Sequence, residues 1–265
     1  MALLNDKVVW ITGASSGIGE ALTYAFAKEN ARLILSARRI EELQRVKANC
    51  ELPDDNILLL PFDLSDTSNI DIHTQKVTNK YGRIDFLVNN GGISQRSYTK
   101  DTPVDIDRKV MEVNFFGTIA LTKSVLPYML KQQNGHIIVI SSISGKFGFF
   151  LRSAYCASKH ALHGFFESLR METYNDNIKV LMVCPGKIKT NISINAITEM
   201  GTKNNIMDKS QEEGMPAEEC ARKILQAIRK EKEEVFIGGK ELSAVLVKRF
   251  FPRLFSKLIR KIKEK

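Results

Sequence analysis

The sequence predicts an α/β fold, a single doubly wound domain with a parallel sheet flanked by helices. Two observations carry that prediction. Short apolar, β-rich runs alternate with longer segments of helical period from one end of the 265 residues to the other, as strand–helix–strand units require. Most of the short runs are also continuous Val/Ile/Leu stretches, the pattern of strands buried on both faces.

The strands are expected at Val8–Thr12, Arg32–Ala37, Ile57–Phe62, Ile84–Asn89, His136–Ser141, Lys179–Cys184 and Val235–Ile237. Helices are expected near 17–29, 40–49, 67–81, 104–131, 155–174 and 217–230. One long irregular stretch, Lys187 to Gly214, interrupts the alternation, and a loop of that length reads as a functional lid. The composition, 43% hydrophobic and 8% aromatic, is that of an ordinary globular protein.

Charge is unevenly placed. Residues 240–265 hold nine Lys/Arg against two Glu, a local +7 that leaves only +2 of the total +9 for the rest of the chain. Residues 1–239 therefore read as the catalytic or binding domain and 240–265 as a basic tail. A nearly neutral body argues against a nucleic-acid partner. Cys50, Cys156, Cys184 and Cys220 stand far apart with no His cluster, which suggests neither a disulfide framework nor a metal site and points to a reducing compartment. Met1 to Lys7 is too short and polar for a signal peptide, and no run of eighteen apolar residues exists. A cytoplasmic location follows as an expectation.

The first strand runs into Gly13-Ala14-Ser15-Ser16-Gly17-Ile18-Gly19, and a helix follows. Glycines there permit a tight turn and close approach of backbone amides to a pyrophosphate, and the helix N-terminus adds its positive dipole end. The second strand ends in Ala37-Arg38-Arg39, where sites preferring NAD place an acid for the ribose 2′-hydroxyl. Arginine suits a 2′-phosphate instead, so the expected cofactor is NADP(H), with Arg38 favoured and Ser15 assisting. Arg39 reads equally well as a solvated charge. Asp63, followed by Leu64, stands where the adenine edge should lie; Asp63 accepts from the adenine amino group or caps the next helix.

Tyr155 and Lys159 are four apart on one helical face. A nearby ammonium stabilises a phenolate, making tyrosine usable as a proton donor and acceptor. Ser142 follows a strand end, where ligands of doubly wound sheets bind. Asn114 lies inside a long helical segment, where Asn is a poor helix former; it reads as a packing solution or as a kink that holds a water. Pro185-Gly186 ends the sixth strand, and Thr190 lies within reach of a nicotinamide carboxamide.

Taken together, the chain resembles a short-chain dehydrogenase/reductase over residues 7–239. The matching residues are Thr12 to Gly19, Asp63, Asn89-Asn90-Gly91-Gly92, Asn114, Ser142, Tyr155-x-x-x-Lys159, Pro185-Gly186 and Thr190. The resemblance implies a seven-stranded Rossmann-type sheet, hydride transfer on a nicotinamide, and the tetrad Asn114, Ser142, Tyr155 and Lys159. It also implies cofactor contacts from Asn90 and Ile188, no catalytic metal, and a homodimer or homotetramer. Gly91 departs from the alanine usual in the family, and the missing methyl is expected to loosen packing there. The pattern with its basic tail looks like the membrane-associated dehydrogenase/reductase relatives.

The substrate is expected to be a carbonyl compound or secondary alcohol with an apolar body. Phe147, Phe149 and Phe150 suit either a pocket or subunit packing, and Ile192, Ile194, Ile197 and Met200 suit a closing lid or one merely seated on the body. Two other functions stay open: a reductase of 3-oxoacyl chains on a carrier protein, and a non-catalytic NADP(H)-binding sensor or scaffold. In the tail, Phe250, Phe251, Leu254, Phe255, Leu258, Ile259 and Ile262 lie opposite Arg249, Arg253, Lys257, Arg260 and Lys263 on a helical wheel, and a helix start near Phe251 puts Pro252 in a first turn that tolerates it. Such a helix fits a membrane interface or packing on protein. Deletion after Gly239 is expected to spare the cofactor site.

Overall fold

The computed structural model describes residues 4–261. Its centre is a seven-stranded, fully parallel sheet in the order β3-β2-β1-β4-β5-β6-β9. The strands are β1 (Val8–Thr12), β2 (Arg32–Ser36), β3 (Ile57–Leu59), β4 (Phe86–Asn89), β5 (Gly135–Ile140), β6 (Ile178–Pro185) and β9 (Glu234–Ile237). Each falls on a run expected from the sequence.

Alternation along the strands divides the core in two. Val9, Ile11, Leu33, Leu35, Val88, Ile138 and Val183 face one side, packed by α1 (Gly17–Ala27), α2 (Ile40–Ala48) and α8 (Ala217–Arg229). Their neighbours Val8, Trp10, Ile34, Leu87, Ile137, Val139 and Met182 face the other, under α3 (Ile70–Tyr81), α5 (Gly117–Gln132) and α6 (Ser153–Glu172). Burial on both faces is why these strands read as continuous apolar runs. The chain leaves β1 toward β2 on one side, and β4 takes the other side of β1. That reversal opens a crevice at the carboxyl ends of β1 and β4.

The expected helix at 104–131 is interrupted. α4 (Val104–Met111) passes into a π-helical turn, Glu112–Phe116, before α5 resumes. Asn114 sits in that turn, fully buried, and π-turns of this kind recur at functional sites. The lid stretch is bracketed by a small parallel pair, β7 (Ile188–Lys189) with β8 (Met215–Pro216), and carries the short α7 (Lys209–Glu212).

The tail is two helices rather than one: α9 (Ser243–Phe250) and α10 (Pro252–Ile259), broken at Phe251. Pro252 occupies the first turn of α10, where its missing N–H costs nothing. Phe255 is buried against Phe147, with ring centroids 5.0 Å apart, beside Ile143, Phe149 and Ile259. The inner face of the tail thus packs on the body, and Phe147 is covered by it. Leu246, Phe250, Phe251, Leu254 and Leu258 stay exposed. Ile262 and Lys263, part of the expected amphipathic pattern, lie outside the described residues. Among the described residues, no helix is long and apolar enough to cross a membrane.

Candidate active site

Glycine geometry shapes one end of the crevice. Gly13 and Gly17 adopt φ of +64° and +58°, the left-handed region that side chains avoid. A Cβ at Gly19 would lie 2.2 Å from the Gly13 carbonyl oxygen, so the turn into α1 closes only around hydrogen. Ser15, Ser16 and Ile18 line the same cavity, and the amides at the start of α1 form a helix N-terminus suited to an anion.

Thr12 ties this loop to β4. Its hydroxyl accepts from the Asn90 and Gly91 amides, both at 3.0 Å, while Asn90 Nδ2 donates to the Thr12 and Gly13 carbonyls at 3.0 and 3.2 Å. The space left by Gly91 is not void: Leu64 Cδ1 stands 2.4 Å from where a Cβ would be. The structure therefore shows no gap at Gly91, because the Leu64 side chain occupies the space where loosened packing was expected. Arg38 borders the cavity with its side chain 65% exposed, 4.0 Å from Asp63 Oδ2. Asp63 Oδ1 accepts from the Ser65 amide and hydroxyl at 2.9 and 2.8 Å, a local turn rather than a helix cap, because α3 begins only at Ile70 behind Asn69; its second oxygen faces Arg38. Pro185, Gly186, Ile188 and Thr190 also line the cavity; Thr190 Cγ2 lies 3.0 Å from a Cβ built on Gly17.

At the other end, α6 carries Tyr155 and Lys159, both buried. Lys159 Nζ donates to the Ile140 carbonyl at 2.8 Å and stands 5.7 Å from the Tyr155 ring centroid. Asn114 is held on three sides: Oδ1 accepts from the Ile93 amide (2.8 Å), and Nδ2 donates to the Ile93 carbonyl (2.9 Å) and to Ser158 Oγ (3.0 Å). Ser158 in turn donates to the Tyr155 carbonyl at 2.8 Å, joining the π-turn to the helix that bears Tyr155. Neither Ser158 nor Ile93 was signalled by spacing, because their roles depend on the fold bringing α6 to the π-turn. Ser142 Oγ accepts from the Ser144 amide at 3.1 Å and donates to the Pro185 carbonyl at 3.5 Å, and its side chain acts to lower the Tyr155 hydroxyl.

Burial dominates the electrostatics. It raises the Tyr155 hydroxyl above its ordinary pKa, against the hydrogen bond from Ser142 and the positive charges of Arg152 and Arg96. It pushes Lys159 down to about 8. The fold also brings His163, Cys184 and Glu234 within 4.8 Å of one another, a grouping hidden by their sequence separation. The Lys146 ammonium already sits 2.6 Å from the Glu234 carboxylate. Burial raises the Cys184 thiol and lowers His163 to about 4, leaving both neutral.

The convergence of a glycine cradle, a strand-end serine and a Tyr/Lys helix on one cavity is matched by comparison. Residues 7–201 match the family described as short chain dehydrogenase. The chain is a short-chain dehydrogenase/reductase. It is 46% identical over 241 residues to human "Dehydrogenase/reductase SDR family member 7", covering 89% of this chain and 71% of that one. The mouse "Dehydrogenase/reductase SDR family member 7B" is 41% identical over 263 residues, covering 97% and 81%. A short-chain dehydrogenase from Streptomyces avermitilis superposes with a TM-score of 0.81 at 30% identity, over 97% of this chain and 96% of that one. Levodione reductase gives 0.80 at 27% identity, over 91% and 99%. Membership makes the protein an oxidoreductase of a nicotinamide-dependent, Rossmann-type family acting on small molecules.

Proposed function

We propose that the protein is an NADP(H)-dependent carbonyl reductase or alcohol dehydrogenase in which Tyr155 gives and takes the proton. The observation that carries this reading is the meeting of Tyr155, Ser142, Lys159 and the glycine cradle around one cavity. The turn formed by Gly13, Gly17 and Gly19 fits a dinucleotide, since side chains there would fill the cradle.

When bound, the nicotinamide supplies or accepts the hydride. The chain's own groups do the rest. Gly13 to Gly19 would receive the pyrophosphate side, Arg38 the 2′-phosphate, and Asp63 and Leu64 the adenine edge, while Asn90 would border the cofactor and hold the loop through the Thr12 and Gly13 carbonyls. Pro185, Gly186, Ile188 and Thr190 would border the nicotinamide, and Lys159 would reach the ribose. Ser142 Oγ and Tyr155 Oη hold the carbonyl oxygen, and Tyr155 protonates the alkoxide as it forms. Lys159 and a water beside Asn114 return that proton. All four tetrad side chains are present, which favours an enzyme over a sensor.

Three finer points belong to this reading. Ile93, Phe149 and Ile192 border the cavity and support an apolar substrate body. The exposed apolar face of α9 and α10, surrounded by Lys248, Arg249, Arg253, Lys257, Arg260 and Lys261, supports cytoplasmic protein held peripherally at an anionic membrane. The family resemblance supports a homodimer or homotetramer, which sedimentation equilibrium decides. The test of the reading as a whole is NADPH oxidation by a panel of free ketones, aldehydes and 3-oxoacyl carrier protein. Turnover of free ketones supports it, and turnover of the carrier-bound chain alone replaces it with the carrier-protein reductase.

A further inference from the structure

The cluster of His163, Cys184 and Glu234 takes part in no step of the proposed reaction. Three elements bring it together: His163 stands one turn past Lys159 on α6, Cys184 near the end of β6, and Glu234 at the start of β9. Cys184 Sγ lies 3.7 Å from Glu234 Oε1 and 3.7 Å from His163 Nε2, and His163 Nδ1 lies 3.7 Å from the same Glu234 oxygen. Tetrahedral zinc, with bonds of about 2.0 to 2.3 Å, separates its ligand atoms by roughly 3.3 to 3.8 Å. The observed spacings fall in that range.

The imidazole is oriented for a metal. Its side chain is 8% exposed, and its Nε2 lies 3.1 Å from Ser141 Oγ. The Ser141 hydroxyl directs its own hydrogen to the Lys159 carbonyl at 3.4 Å, so Nε2 is the nitrogen that donates and Nδ1 carries the lone pair. Nδ1 is buried without a hydrogen-bond partner. The carboxylates of Glu167 and Glu234 stand 3.6 and 3.7 Å from it, too far for a hydrogen bond. A buried lone pair that faces carboxylates and a thiol calls for a cation between them. The Ser141 hydroxyl behind the ring is the partner that fixes the tautomer of a metal-bound histidine. Gly145 permits that approach, since a Cβ there would lie 2.7 Å from Ser141 Oγ and 2.9 Å from His163 Nε2.

Entry is from the side of Glu234, whose side chain is 33% exposed. The Lys146 ammonium stands at that rim, 2.6 Å from Glu234 Oε1, on a side chain 23% exposed. Lysine is long and flexible, so its ammonium can turn to solvent and leave the carboxylate to a metal.

We propose that His163 Nδ1, Cys184 Sγ and Glu234 Oε1 form a zinc site, with its fourth position open to water. The nitrogen, sulfur and oxygen donor set suits zinc. On binding, the Cys184 thiol gives its proton to solvent and Lys146 leaves Glu234. None of the three ligands lines the cofactor cavity, so the metal serves to pin α6 to β6 and β9 and stands apart from hydride transfer. The site is independent of the reductase reading.

The experiment uses the full chain, stripped of metal with a chelator and titrated with zinc chloride or cobalt chloride. One ion per chain is expected. Cobalt should give a near-ultraviolet thiolate charge-transfer band and the visible bands of tetrahedral coordination, and zinc should bleach both. Cys184→Ser should remove the charge-transfer band although Cys50, Cys156 and Cys220 remain. His163→Gln should weaken binding by at least about tenfold. Lys146→Met acts in the other direction: it removes the competing cation without touching a ligand, and should tighten binding about tenfold. Damage to the fold does not produce a gain in affinity. The site is overturned by the absence of a thiolate band in the unaltered protein, by a band that survives Cys184→Ser, or by a Lys146→Met variant that binds zinc no more tightly.

Discussion

The Glu241 carboxylate accepts a hydrogen bond from the Lys187 amide at 2.9 Å. The same oxygen takes the Gly239 amide at 3.0 Å and stands 2.2 Å from where a Cβ on Gly186 would be. A residue counted with the tail by sequence therefore holds the turn that borders the cofactor cavity. Deletion after Gly239, expected from the sequence to spare the site, removes this brace.

Replacing Glu241 with Ala should weaken NADPH binding and lower stability by about 2 kcal/mol, since charged hydrogen-bond partners contribute on that scale. Burial raises the Glu241 carboxyl, and hydrogen bonds from the Lys187 and Gly239 amides outweigh it, so the folded value is lowered. Its contribution is complete above the unfolded carboxylate pKa of about 4.3 and fades as pH falls through the lower folded value. Fluorescence titration with NADPH and urea unfolding between pH 3 and 7 measure both effects. Unchanged affinity in the variant would dismiss the brace.

Lys159 gives a pH dependence of the same sign, stability rising with pH, but in a more alkaline window. Burial lowers its pKa from 10.5 to about 8, so below pH 8 the folded protein carries a buried ammonium at a cost. The cost is relieved between pH 8 and 10.5, where the folded state has released the proton and the unfolded chain has not. Lys159→Met should therefore stabilise the protein at pH 7 by up to about 3 kcal/mol and by much less at pH 10.5. The same variant should lose NADPH affinity, as the ribose contact is gone. Denaturant midpoints at the two pH values decide the first part.

Much of this architecture is legible in the sequence, and the reasons are physical. Strands buried on both faces leave continuous apolar runs, and all seven appear where those runs lie. Asn114 marks its own irregularity because Asn is disfavoured within a helix. What is not legible depends on contacts between distant segments. Arg96 and Asp208 are 112 residues apart, and nothing local in either signals the other. Leu64 filling the space beside Gly91 belongs to the same class. The break at Phe251 was half visible: Pro252 announced a helix start, while α9 before it carries no such marker.

Arg38 should set cofactor choice. With its side chain at the cavity edge and no acid following β2, kcat/KM is expected to favour NADPH over NADH. Arg38→Asp should cost roughly 10- to 100-fold with NADPH, the range of one charged hydrogen bond, and should spare NADH. Steady-state kinetics with both cofactors supplies the test, and equal use by the unaltered enzyme would contradict the assignment.

The outer face of the tail predicts reversible binding to anionic vesicles. Residues 243–261 hold six Lys/Arg and no acid, and each cation near such a surface contributes about 1 kcal/mol. Exchanging Phe250, Phe251, Leu254 and Leu258 for Ser removes the apolar contact yet leaves Phe255 and Glu241 in place. Co-sedimentation should be strong with anionic vesicles, weaker in high salt, and absent in this variant. Binding that ignores both salt and the four substitutions would rule out the surface.

Single-turnover reduction with Tyr155→Phe reaches the proton donor itself. The variant keeps the ring that packs against Ile197 and Ala154 and removes only the hydroxyl that meets Ser142. The expected result is a loss of about 100-fold or more in the rate of NADPH oxidation, with NADPH affinity within about twofold of the unaltered protein because that hydroxyl touches no phosphate. A variant that keeps most of its single-turnover rate would show that the proton comes from elsewhere.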